Sequence, residues 1–185
     1  MQKRTLGILA LTVVLALGML SGCSPKMIPG TEIEDTAVTR SVFKAVEAYR
    51  KAMETRDAEA LLRLASPNYF EKNGNNNSRD NYDYEGLVSF LRSERFSKVS
   101  KVRLVVVYKD LQFNKEYTRA EVQYHYVLNF RKPPEKFKQS VSREGGKDVV
   151  EDNFDEERWY SKADDNLMVL EKDKKSGKWL IIRGM

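Results

Sequence analysis

Across 185 residues the chain has a single cysteine and a single histidine, and each scarcity removes a class of chemistry. With Cys23 alone no intrachain disulfide can form, so a folded domain must rest on an apolar core rather than covalent staples. With His125 alone a histidine-rich metal centre is excluded, and no H-E-x-x-H pair occurs. Glycine-rich phosphate loops are missing too: neither G-x-G-x-x-G nor G-x-x-x-x-G-K is present. No ordered acidic ligand loop stands out either. The expectation is therefore no metal and no cofactor.

Long apolar runs are equally scarce, and the one that exists lies at the start. Leu6 to Leu20 is apolar apart from Thr12 and two glycines, and it follows Lys3 and Arg4. At about 1.5 Å per residue this run makes a helix of roughly 22 Å. A bilayer core needs about 20 residues, so the run is short for a permanent span and fits an export signal better. Directly behind it stands Leu20-Ser21-Gly22-Cys23, which resembles the lipobox of bacterial lipoproteins. The resemblance implies a diacylglycerol on the Cys23 sulfur, loss of residues 1–22 and acylation of the new amino terminus. Two or more chains suit stable anchoring, since each buried methylene contributes about 0.8 kcal/mol and one chain holds only marginally. A free thiol or an intermolecular disulfide is the alternative for Cys23. Ser24, rather than an aspartate, favours the outer membrane by analogy with lipoprotein sorting. The expected setting is the cell envelope, anchored to the membrane and facing the periplasm.

Charge of one sign is not concentrated. The formal charge of +5 falls to +3 once Lys3 and Arg4 leave with the leader. Lysines and arginines gather at Lys98, Lys101 and Arg103, at Arg131, Lys132, Lys136 and Lys138, and again at Lys172, Lys174, Lys175 and Lys178. Acidic residues interrupt them, and no nucleic-acid module is recognisable, so nucleic acid is not an expected partner.

Residues 24–30, with two prolines and a glycine, read as a tether. Thr31 with Glu34 fits a capping box, and Thr36 can cap a later start. Val38, Val42, Ala45, Val46, Tyr49, Ala52 and Met53 then recur at helical spacing. Asp57 can cap a second helix and Asp83 a third, the latter running to about Arg95. Between them Lys72 to Asn81 is polar and rich in turn formers. Beyond residue 100 the period changes to two. Val102, Leu104, Val106 and Tyr108 share one strand face, with Val105 and Val107 on the other, so both sides of this strand can be covered. Ala120, Val122, Tyr124, Tyr126, Leu128 and Phe130 line a second strand, ended by Pro133-Pro134. After Gly145-Gly146 a strand is expected near Phe154 to Tyr160, and LMVLEKD with KWLIIRG reads as a terminal hairpin. Helices first and strands later indicate an α+β domain over residues 31–185, without repeats.

Two segments carry a family resemblance. VFKAVEAYRKAMETRDAEALLRLASPNYF, residues 42–70, is similar to the opening of NTF2-like, or SnoaL-like, domains. The ending LMVLEKDKKSGKWLIIRGM resembles their last hairpin, where a glycine turn precedes W-x-I. The resemblance spans residues 36–184 and implies helices packed against a curved antiparallel sheet, a cone able to enclose a pocket. Relatives of that fold include dehydratases, isomerases, cyclases, ligand binders and interaction domains, so function has to be argued from the interior.

Proton abstraction from carbon needs a base of suitable pKa and a donor at the developing oxyanion. His125 alternates away from Tyr124 and Tyr126 and is expected outside the cone. Asp57 and Asp83 are better explained as caps. No catalytic residue is assigned. The residues expected to line a pocket are Tyr49, Tyr108, Tyr124, Tyr126 and Trp159, since aromatic rings pack while their polar tips hydrogen-bond. The leading expectation is a noncatalytic envelope domain that binds a small apolar ligand or a protein partner, a second copy among them. One rival is an acid–base enzyme acting on a small cyclic or carbonyl compound through Asp110, His125 or the strand tyrosines. The other is a structural envelope domain without ligand.

Overall fold

The structure is a computed structural model and describes residues 25–72, 81–132 and 158–185. The leader, Cys23, most of the polar run after Lys72, Pro133-Pro134 and Gly145-Gly146 lie outside the described residues.

Helix α1 (Ala37–Thr55) starts at Thr36, whose Oγ1 accepts the Thr39 N–H at 3.0 Å. Thr31 instead closes a turn, donating to the Ile28 carbonyl at 3.0 Å and accepting from the Ile33 N–H at 3.2 Å. That turn includes the isolated antiparallel bridge between Met27 and Glu34, so part of the expected tether is folded onto the domain, where Ile33 is buried. Val42, Val46, Tyr49 and Ala52 form the buried stripe of α1, with the three- and four-residue spacing that one helix face requires. The helix ends at Arg56, held in the left-handed region at φ 56° and ψ 37°.

Asp57 caps α2 (Ala58–Leu64), accepting from the Ala60 N–H at 2.8 Å. Asp83 caps α3 (Tyr84–Leu91) through the Gly86 N–H at 3.0 Å. Instead of one helix to Arg95 there are two, because the chain turns at Arg92 and Ser93 before α4 (Glu94–Lys98). Ser93 takes an extended conformation and its hydroxyl donates to the Phe90 carbonyl at 2.6 Å, an offer that competes with helix continuation. The turn brings the Phe90 and Phe96 rings to 6.2 Å, with Phe96 buried.

A short pair, β1 (Phe70–Glu71) and β2 (Tyr82–Asp83), lies antiparallel beneath α3. The main sheet is antiparallel in the order β3 (Ser100–Phe113), β4 (Arg119–Lys132), β5 (Arg158–Lys172) and β6 (Trp179–Arg183). Of the strand expected near Phe154 to Tyr160, residues 154–157 lie outside the described residues, and the rest is continuous with the first arm of the last hairpin in one β5. Its middle, SKADDN, has weak strand preference, but every residue from Arg158 to Glu171 pairs with β4. Cross-strand pairing overrides local propensity there. The β5–β6 turn is held by Asp173, whose Oδ2 accepts from both the N–H and the hydroxyl of Ser176 at 2.8 Å.

Register sets the two faces. Leu104, Val106 and Tyr108 pair with Leu128, Tyr126 and Tyr124, and these turn toward the helices. Shifts at Ser100/Arg103, Tyr108/Asp110 and Val169/Leu170 mark bulges, which bend strands and sharpen their twist. The core lies between this concave face and α1–α3, with Val46, Leu61, Leu87, Val122, Met168 and Ile181 among its buried residues. Glu54 fastens α1 to β3, accepting the Leu104 N–H at 3.0 Å, and Trp179 Nε1 donates to Ser41 Oγ at 2.8 Å. The convex face is less protected than the alternation suggested: Val105 is 40% and Val107 53% exposed. Among the described residues no helix is long and apolar enough to cross a membrane.

Candidate ligand-binding site

Two features occupy the concave side in sequence along α1 and β4. The first is a polar knot built on tyrosine. Tyr69 is buried at the end of the SPNY segment, and its hydroxyl donates to Glu71 Oε2 at 3.0 Å. The Gly184 N–H donates to the same oxygen at 2.7 Å, so Glu71 ties β1 to the end of β6. The Tyr82 ring lies beside that of Tyr69, with centroids 6.0 Å apart. Across the interior Asn166 Nδ2 donates to the Tyr124 hydroxyl at 2.8 Å and to the Gly184 carbonyl at 3.1 Å. Tyr49 of α1 is buried as well.

Burial, joined by the field of Glu71, pushes the phenols of Tyr49, Tyr69 and Tyr82 above their usual range. Tyr124 is pushed up to about 12, mainly by burial and against the lowering effect of its Asn166 bond. At neutral pH these are hydroxyl donors and acceptors, not phenolates. A set of neutral donors around one carboxyl group orients and solvates; it offers no ready nucleophile.

The second feature begins one helical turn beyond Tyr49. An open apolar cavity of about 150 Å³ lies between the helices and the sheet. Helix α1 supplies Met53 and the capping Arg56, and the α3–α4 turn supplies Phe90, Arg95 and Phe96. Val99 and Val102 line it from the start of β3, and Leu128 and Phe130 from the end of β4. A cavity of about this volume lined by apolar side chains accepts a benzene-sized group. Among the described residues the lining contains no carboxylate, histidine or hydroxyl side chain.

The five tyrosine and tryptophan positions expected to line a pocket are dispersed. Tyr49 and Tyr124 are buried in the polar knot, and Tyr126, partly buried, is tilted against Tyr124 with ring centroids 6.4 Å apart. Tyr108 stacks on Phe43 with ring centroids 4.1 Å apart, filling space between α1 and the sheet. Trp159 pairs with Arg131 on the convex face, 55% exposed, with the guanidinium carbon 4.7 Å above its ring. None of the five touches the apolar cavity. His125 is also on the convex face, its Nδ1 2.9 Å from Asp165 Oδ1, and Lys109 Nζ is 2.8 Å from the same carboxylate. Asp110 bonds the Leu111 N–H and Gln112 Nε2, each at 2.8 Å, and takes no part in the interior. Among the described residues no cluster of three or more potential ligands could hold a metal ion.

Sequence reasoning missed Glu71 and the phenylalanine-lined cavity. Glu71 carries a readable hint, since it alternates with Tyr69 just before a polar loop. The cavity has none, because it arises from the break between α3 and α4.

The fold as a whole is similar to solved structures. A ketosteroid isomerase-like protein from Erwinia carotovora atroseptica superposes with a TM-score of 0.55 at 14% identity, covering 81% of this chain and 95% of that one. A nuclear transport factor 2 (NTF2-like) superfamily protein from Salmonella enterica gives 0.54 at 13% identity, covering 80% and 87%. The chain has the NTF2-like fold. A conserved protein from Planctomyces limnophilus shares it, with a TM-score of 0.56 at 11% identity over 80% and 93% of the two chains. No protein-family model and no curated protein matches the sequence. At these identities the likeness to NTF2-like structures describes the fold alone.

Proposed function

We propose that this is a lipid-anchored domain of the bacterial cell envelope that holds a small apolar ligand on the concave side of its NTF2-like cone and works by binding rather than catalysis. Cys23 carries the lipid, residues 1–22 are its address, and the domain faces the periplasm from the outer membrane. The observation behind the binding reading is the cavity of about 150 Å³, whose apolar lining lacks any acid or base to act on what enters. Burying a ring-sized apolar group there removes it from water at about 25 cal/mol per Å². A leucine-to-tryptophan change at Leu128 fills the space. Titration of the protein with a small arene, followed through the Met53 methyl resonance, should saturate in the parent and stay flat in Leu128→Trp. A flat response in both leaves a structural domain without ligand.

A second reading is favoured by one observation, the Glu71–Tyr69 hydrogen bond at 3.0 Å beside the buried phenols of Tyr49 and Tyr124. A carboxyl group with phenol donors is the equipment that acid–base chemistry on a small cyclic or carbonyl compound requires. One structural neighbour is described as ketosteroid isomerase-like. Against this reading, Glu71 is engaged by Tyr69 and Gly184 and is absent from the cavity lining. Turnover of such a compound that disappears in Glu71→Gln, with the fold retained, would establish catalysis over binding.

A further inference from the structure

Among the described residues the cavity is apolar inside and carries cations in its wall. Arg56 and Arg95 are part of its wall. Lys132 Nζ stands 5.9 Å from the ring of Phe130, itself a lining residue, and 5.1 Å from Tyr160. Lys162 Nζ stands 5.9 Å from Tyr126, the inward residue before Leu128. Among the described residues two arginines, Arg56 and Arg95, therefore stand in the wall, and Lys132 lies over one lining ring. Asp164 pairs with Tyr126 and shares the face of Lys162, while the carboxylates nearest Arg56 and Arg95 in sequence are engaged elsewhere. Glu54 holds Arg50 at 2.6 Å and the Leu104 N–H, Glu94 holds Lys98 at 2.6 Å, and Asp57 caps α2.

Two of these cations are poised rather than used up. Among the described residues the Arg95 side chain has no hydrogen bond or ion pair. Arg56 spends only Nη1, on the carbonyls of Ser97 and Val99 at 3.4 Å and 2.5 Å. Arg56 also occupies a left-handed helix cap at φ 56°, where glycine is the ordinary choice.

We propose that the cavity selects an anionic amphiphile: one apolar group of about ring size, carrying a carboxylate that Arg95 and its neighbours meet at the rim. The inference rests on the binding reading above and adds the sign of the ligand's charge. An apolar body makes the affinity, and the rim discriminates among bodies of equal shape by charge, since like-charge juxtaposition is the costly alternative. Selection by exposed cations is screened by salt, over about 10 Å at 0.1 M.

The test uses a matched trio, 4-phenylbutyrate, 4-phenylbutanol and 4-phenylbutylamine, titrated by calorimetry into the protein purified as expressing cells process it. Binding is expected in the order carboxylate, alcohol, amine, with at least about a tenfold gap between the first two at low salt. Arg95→Gln combined with Lys132→Gln should narrow that gap to about twofold. Both positions are exposed, so folding survives the change. Leu128→Trp should remove all three ligands, and the Met53 methyl resonance locates binding in the same cavity. If carboxylate and alcohol bind alike, or the amine binds best, the charge selection is overturned while the binding reading stands. If none of the three saturates in the parent, the binding reading itself falls.

Discussion

At the scale of single residues the interior is defined by phenols that the fold keeps neutral. Burial pushes Tyr108 up to about 12, with the Glu47 charge adding to it, and holds Tyr124 at about the same value. An ordinary tyrosine ionises near about 10, so the folded state favours the protonated form. The sign follows: this stabilisation is complete below about pH 10 and is lost as pH climbs through about 12. Urea midpoints measured across that interval should fall, and Tyr124→Phe should make the fall shallower. A midpoint that does not move between those values would contradict the burial assigned to both rings. Glu71 makes a separate claim. Glu71→Ala strands the Tyr69 hydroxyl and the Gly184 N–H, donors that now share one oxygen. A buried donor left without a partner costs about 1–3 kcal/mol, so denaturant unfolding should show a loss of that order. Glu71→Gln, which keeps an acceptor oxygen, should recover most of it.

At the scale of elements, the decisive close contact lies where β6 ends. Gly184 has φ 88°, and a Cβ there would sit 2.5 Å from the Leu167 carbonyl oxygen and 2.8 Å from the Met168 Cα. Both are backbone atoms of the neighbouring β5, so no side chain can swing aside. Gly184→Ala should cost at least about 1–3 kcal/mol from backbone conformation alone. It should also weaken the Glu71 link, visible as lost amide-exchange protection at Gly184. Elements with a clean period could be read directly from sequence: α1 from its stripe, the Asp57 and Asp83 caps from their side-chain oxygens, β3 and β4 from alternation. Where two rules competed, reading failed. Ser93 offered its hydroxyl to the Phe90 carbonyl and split a helix that periodicity extended. SKADDN lay between two expected strands, yet its backbone is paired throughout by β4. Glu71 and the cavity depend on contacts across more than a hundred residues and on that helix break, which local pattern does not encode. Trp159 illustrates the limit of composition: an aromatic suggested a pocket, but its register with Arg131 sets it on the convex face.

At the scale of the whole molecule, the proposed anchor and the observed fold constrain each other. The turn that begins at Lys26 is already part of the domain, since the Asp35 N–H donates to the Lys26 carbonyl at 2.7 Å. Only the steps from Cys23 to Lys26 can then act as tether, and three residues reach at most about 11 Å when extended. With the proposed lipid on Cys23, so short a leash would hold the domain beside the lipid headgroups, where an amphiphile leaving the membrane would meet the cavity at high local concentration. Cys23→Ser should move the protein from the membrane to the soluble fraction, with its circular dichroism unchanged. Mass spectrometry of the parent's amino-terminal peptide should find it beginning at Cys23 and carrying acyl chains. Inserting about ten Gly/Ser residues after Ser24 should keep the protein membrane-bound and slow capture of a phenyl carboxylate released from vesicles, while affinity for the same compound in solution stays constant. Equal capture with the long and short tethers would show that proximity contributes nothing. Membrane retention in Cys23→Ser would show that something other than the predicted lipid holds the protein there.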